Sequence, residues 1–334
     1  MNRIPDVGVD YLNVKAFTAR LLSLEDDLKA LMAQYTGDEA VLELFQATKL
    51  SKYLPEKPAN PRPVEVAAYR YMAELLGRFE AIASGKAEAI HRAYKLVLLV
   101  HDAEIIIGRM LRGKTPPRDE ELVQPASPQV GLLRRLAEEE AKPSQALRAV
   151  GLEKAAAIVE KNPEYLSTAL DLELIAALAE ALQVAETEYA REIIGARLDI
   201  TAVRIASTLA VLEAPSETSQ LYFENLRTYR LPADSLRQAI ETKDAEQLET
   251  ILKAKAPQQL PENLPPADAY IAAARKHNRK LVAKTYIAAV LTVDVLAAAL
   301  EQALLDAEDA IIIAIAGYSK QPKQQAAALL SIQV

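Results

Sequence analysis

"LLVHDAEIIIGRMLRGK", residues 98–114, decides how this chain is read. An apolar run meets an adjacent His101 and Asp102, and the stretch ends in Arg109, Arg112 and Lys114. A piece of an active site and a joint between two helices both fit that arrangement. Neighbours on one helix point about 100° apart, so the two side chains do not readily face one another across a substrate. A second stretch weighs more: "GARLDITAVRIASTLAVLEAPSE" from Gly195 echoes "LLVHDAEIIIGRMLRGKTPPRDE", with Asp199 in register with Asp102 and Leu198 standing where His101 stands. The Asp recurs and the His does not. An Asp at a helix start accepts bonds from the free N–H groups of the first turn and meets the positive end of the dipole, worth about 1 kcal/mol. Asp102 and Asp199 therefore read as structural helix caps at a repeated joint, with His101 incidental.

The whole chain agrees with a helical reading. At 334 residues it can bury a large core without staples, and its length suggests two or three domains. It has only 10 Gly and 5% aromatic residues, and it is rich in Ala, Leu, Glu, Lys and Gln, which lose little rotamer freedom in a helix. The fold class expected is all-α. The absence of cysteine removes disulfides, thiolate catalysis and sulfur-ligated metals, and fits a reducing compartment such as the cytosol. A net charge of −7 argues against general nucleic-acid binding. The start, "MNRIPDVGVDYLN", lacks the layout of a signal peptide. The late apolar stretch from Leu281 is interrupted by Lys284 and Asp294, so no transmembrane helix is expected.

Periodicity places helices at 10–34, 38–48, 63–82, 86–100, 103–113, 128–140, 143–160, a long one near 164–198, and 200–212. Others follow at 233–242, 244–254, 267–287, 292–305, 308–318 and 322–332. The long helix is the clearest, because Leu166, Leu170, Leu174, Leu178 and Leu182 recur every fourth residue. Proline makes the breaks in "LPEKPANPRP" from Leu54, "TPPRDE" from Thr115 and "APQQLPENLPP" from Ala256. "LYFENLRTYRL" from Leu221 is the one stretch with a strand-like look.

A further echo links the segments near Leu24, Gly131 and Asp234, each a short helix, a polar corner and a second short helix. Together the echoes give repeat units of roughly 100–110 residues. The boundaries expected are 1–126, 127–231 and 232–334, with exchange of helices between units allowed.

These units resemble a family. "YLNVKAFTARLL" from Tyr11, the helix ending in "LLVHDAEIIIGRMLRGK", the second joint "YAREIIGARLDITAVRIAST" and the C-terminal "AIIIAIAGYSKQPKQQAAALLS" are similar, in that order, to the C subunit of the V/A-type ATPase (A-type ATP synthase), counterpart of the d subunit of the eukaryotic V-ATPase. The chain departs from the family's Asn three residues after each Asp, having Ile105 and Ala202 there. Arg112 fits the family's first Arg within one residue, and the second joint offers only Thr208 or Leu209. At the C-terminal pair the family's acidic position falls among Gln321, Pro322 and Lys323. The resemblance implies three similar helical domains with pseudo-threefold symmetry, forming a funnel. It further implies a non-catalytic rotor coupler, peripheral on the cytoplasmic side of the membrane. Its partners would be the D and F subunits of the central stalk and the proteolipid c ring (L or K), and it would transmit torque for ion or proton transport.

Other chemistry is weighed against that picture. "EAIH", Glu88 to His91, has di-iron spacing but lacks the second Glu-x-x-His, so His91 reads as a surface residue of an ordinary helix. Three scattered histidines do not make a zinc site. Asp26 and Asp27 of "EDD" occupy an early helical face, and no G-x-x-x-x-G-K-[ST] occurs, so neither cofactor nor direct nucleotide binding is expected. "RKHNRKLVAK" from Arg275 concentrates charge in an acidic protein, and Arg275, Arg279 and Lys280 are candidates for a partner interface, as are Arg109, Arg112 and Arg204 after the Asp joints. The readings that compete with a rotor coupler are a cytosolic helical-repeat scaffold for a helical peptide or protein, and a helical-bundle enzyme.

Overall fold

The computed structural model describes residues 7–212, 216–242, 244–288 and 292–334. Met1–Asp6, the side chains of Tyr11 and Leu12, and Pro215 lie outside the described residues. All regular structure among those described is helical.

The first helices are α1 (Val7–Leu21), α2 (Glu25–Ala33), α3 (Val41–Leu44), α4 (Pro61–Glu80) and α5 (Lys86–Leu111). Next come α6 (Pro128–Glu138), α7 (Pro143–Ala149), α8 (Glu153–Lys161), α9 (Leu166–Val184), α10 (Glu188–Val211), α11 (Ser216–Asn225) and α12 (Ala233–Thr242). The chain closes with α13 (Ala245–Lys255), α14 (Pro266–Ala288), α15 (Asp294–Tyr318) and α16 (Lys323–Leu329). Local chemistry explains several starts. Asn60 accepts the Arg62 N–H at 3.0 Å with Pro61 at the first helical position of α4. Thr187 accepts the Ala190 N–H at 3.2 Å at the head of α10. Gly151, at φ +83°, divides the expected 143–160 helix into α7 and α8.

The largest departures concern the Asp joints. Asp102 lies inside the single helix α5 and Asp199 inside α10, so neither is a helix cap; the caps of those helices are Gly85 and Thr187. Likewise, the expected 292–305 and 308–318 helices are one, α15. The long 164–198 helix in turn breaks at Ala185–Thr187, where no proline or glycine stands. There the Asp294 carboxylate accepts the backbone N–H groups of Glu186, at 2.9 Å, and Thr187. A carboxylate far along the chain thus fixes that corner. "LYFENLRTYRL" is the end of α11 and an irregular segment, not a strand.

Six long helices organise the molecule as three pairs, α4 with α5, α9 with α10 and α14 with α15. The second helix of each pair packs along the first of another pair: α5 on α9, α10 on α14, and α15 back on α4. The result is a closed cycle. Helix α1 lies against α15 near the point of closure, and one contiguous apolar core runs through the whole arrangement.

Candidate functional site

A cavity of about 400 Å³ lies where the cycle closes on itself, lined by all six long helices. Helix α4 contributes Glu65 and Tyr69, α5 His101 and Glu104, α9 Asp171, α10 Arg197 and Arg204, α14 Asp268, and α15 Glu308. These charged and polar side chains share the wall with apolar ones, among them Val97, Leu174, Leu178, Ile271 and Leu304.

Buried charges fix that wall. Arg197 reaches Glu301 Oε1 at 2.8 Å and Glu308 Oε1 at 2.7 Å. Arg275 reaches Glu308 Oε2 at 2.9 Å, Asp309 Oδ1 at 2.6 Å and the Leu329 carbonyl at 2.8 Å. Arg279 adds Asp306 at 2.5 Å and Asp309 at 3.3 Å. Three arginines and four carboxylates thus link α10, α14 and α15. Glu25 of α2 stands at the edge of this network, 3.7 Å from Arg279, and neutral groups also bond to it: Tyr94 and Asn278 donate to Glu301, both at 2.9 Å, and the Leu24 N–H donates to Asp306 at 2.8 Å. The Ser331 N–H donates to Asp309 at 2.9 Å, which ties the C-terminal segment to the same network. Burial pushes the Glu308 carboxyl up, but Arg197 and Arg275 prevail and hold it at about 2. Asp171 shows the opposite outcome: desolvation outweighs Arg204, 2.9 Å away, and raises it to about 6.

The Asp of the joint motif has a different task from capping. Asp102 accepts the backbone N–H groups of Val123 at 2.7 Å and Gln124 at 2.8 Å. Asp199 does the same for Tyr229 at 2.7 Å and Arg230 at 2.9 Å. Asp309 accepts from Ser331 and Ile332 at 2.9 and 3.3 Å. Each clamps the segment that follows its long helix. The third member was visible as "EDA" at 308–310 against "HDA" at 101–103, with Glu308 in the position of His101.

His101 is not incidental. It is buried and lines the cavity, with Nδ1 3.4 Å from Asp102 Oδ1 and Nε2 3.2 Å from Glu65 Oε1, and its ring lies 4.7 Å from that of Tyr69. His91 is also buried, with Nε2 3.0 Å from the Leu76 carbonyl, so it is not a surface residue. Among the described residues no three His, Asp or Glu side chains are grouped to hold a metal ion.

The arginines expected at a partner interface divide sharply. Arg275, 3% exposed, and Arg279 are committed to the buried network and cannot form a surface patch, because their carboxylate partners lie on the adjacent α15. Lys280 is exposed beside Gln258, at 3.1 Å. Arg204 lines the cavity with Asp171. Arg109 pairs with Glu121, and Arg112 is exposed at the end of α5; both line a neighbouring cleft that shares Glu65, His101 and Glu104 with the cavity. Nothing in the local pattern marked Arg197 or Glu301, whose roles depend on which helices meet.

The family model of the ATP synthase (C/AC39) subunit matches residues 13–285. The chain belongs to the ATP synthase C/AC39 subunit family. No curated protein sequence matches it. Membership places this C/AC39 protein among the subunits associated with a V/A-type ATPase complex. The matched residues take in α4, α5, α9 and α10 and reach Thr285 of α14, while α15, which supplies all four carboxylates of the network, lies beyond them. No helix among the described residues is long and apolar enough to cross a membrane.

Proposed function

We propose that this C/AC39 protein is the rotor coupler of its ATPase, seating the tip of the central stalk, made by the D and F subunits, at its central cavity while resting on the proteolipid ring. It would sit peripherally on the cytoplasmic side and pass torque between nucleotide turnover and ion translocation. It would perform no catalysis and bind no cofactor or nucleotide. The observation that carries this reading is the closed cycle of six long helices around a cavity with charged side chains in its wall, braced by buried ion pairs. A coupler must resist shear, and a close-packed cycle whose last helix returns to its first has no free edge along which to open.

The three helix pairs also support an organisation in three related units, 1–126, 127–231 and 232–334, set about a pseudo-threefold axis as a funnel. Each unit would then contribute one pair and one Asp clamp: Asp102, Asp199 or Asp309.

The test is affinity purification of the tagged protein from membranes, with the attached proteins identified by mass spectrometry. Stalk and ring subunits are expected in the eluate. A protein recovered without either is a free-standing scaffold, and the coupler reading then fails.

A further inference from the structure

His101 Nε2 lies 3.2 Å from Glu65 Oε1, an acceptor, and 3.3 Å from Arg62 Nη1, a donor. One ring nitrogen cannot satisfy both. With a proton it donates to Glu65; without one its lone pair accepts from Arg62. Meanwhile Nδ1 faces Asp102 Oδ1, and both oxygens of that side chain already accept backbone N–H groups, from Val123 and Gln124, so an N–H on Nδ1 suits that position in either state. From this geometry we propose that His101 is a proton-operated switch in the wall of the central cavity, exchanging Glu65 for Arg62 as the partner of Nε2.

The surroundings suit an exchange. Arg62 Nη1 donates to Glu65 Oε2 at 2.6 Å, so donor, acceptor and imidazole already touch, and Arg62 Nη2 is buried without a hydrogen-bond partner. From α4 the groups facing His101 are Arg62, Glu65 and Tyr69; from its own helix they are Asp102 and Glu104. Asp171 from α9, Arg197 and Arg204 from α10, and Glu308 from α15 share the cavity. Burial alone would lower the proton affinity of His101, but Asp102 and Glu65 raise it above the ordinary value, and Arg62 opposes them. A raised folded value means that the His101–Glu65 attachment of α5 to α4 is complete at acid pH and is lost as pH rises through that value.

Loss of the proton releases Glu65 from the imidazole. The cavity wall then holds one positive charge fewer while Glu65 keeps its negative charge. A partner seated in the cavity would meet a different field on either side of the transition. Only this last consequence rests on the coupler reading; the switch itself belongs to the isolated chain.

Nitrogen-15 NMR of the histidine side chains in the full-length protein tests it across pH, with His101→Gln assigning the signal among the three histidines. His101 is expected to titrate above about 6.5. Its neutral form is expected to carry the proton on Nδ1, leaving Nε2 bare for Arg62. Glu65→Gln should lower its proton affinity roughly tenfold, and Arg62→Met should raise it. The proposal is overturned by a neutral form protonated at Nε2, by titration at or below about 6.5, or by either variant leaving the transition unmoved. The wild-type tautomer decides the question even where a variant fails to fold. Because no partner is present in the sample, failure here is separable from failure to recover stalk or ring subunits.

Discussion

The ring of Tyr229 lies where a side chain on Gly195 would have to go: a Cβ built on that glycine falls 2.3 Å from two ring carbons. One turn further along α10, Asp199 grips the Tyr229 N–H at 2.7 Å. The glycine and the carboxylate are two parts of one contact, the first admitting the segment after α11 and the second holding it down.

Gly195→Ala should therefore cost about 1–3 kcal/mol by overpacking, although it improves intrinsic helix propensity. Chemical denaturation checks this. If the clash is with the ring, Tyr229→Ala restores most of the loss in the double variant, and additive losses would refute the assignment.

Asp102→Ala should remove the acceptor for Val123 and Gln124, at about 1.5–3 kcal/mol for a hydrogen bond to a charged group. Hydrogen exchange should show those two amides losing protection while the middle of α5 stays protected. A melted α5 would mean that the Asp holds its own helix instead.

Arg275→Met leaves Glu308 and Asp309 buried with one cation fewer and should destabilise the fold by about 3–5 kcal/mol. It should also free residues 329–332 to exchange, since Arg275 donates to Leu329 and supports the Asp309 that grips Ser331. Lys280→Glu, on an exposed side chain of the same helix, should stay within about 0.5 kcal/mol of wild type. Equal effects of the two substitutions would refute this division of the basic stretch.

Asp171 binds its proton more tightly folded, at about 6, than it would in the unfolded chain, near 3.8. The folded state then holds more protons between those values, so the Asp171 contribution falls as pH rises from about 4 to about 6, by up to about 3 kcal/mol. Denaturation midpoints measured across that range should show a shallower decline in Asp171→Asn than in wild type. Parallel curves would remove Asp171 as the cause.

The sequence alone determined that this is a helical protein, because low glycine and aromatic content and repeated Ala and Leu spacing act locally, within a turn or two. It placed α12 at its observed limits, α4 and α14 within two residues, and it carried the order of segments from which the ATPase family was read. It also revealed Asp102 and Asp199 as equivalent, yet capping was the only local use it offered for them. Their actual partners, at 123–124 and 229–230, are set by where later segments return. The same physics decides the break between α9 and α10, held by Asp294, and the burial of Arg275 and Arg279 against α15. Periodicity reports which face of a helix is apolar. Which carboxylate meets which arginine, or which imidazole nitrogen, depends on packing between helices far apart in the chain, and only the tertiary structure settles it.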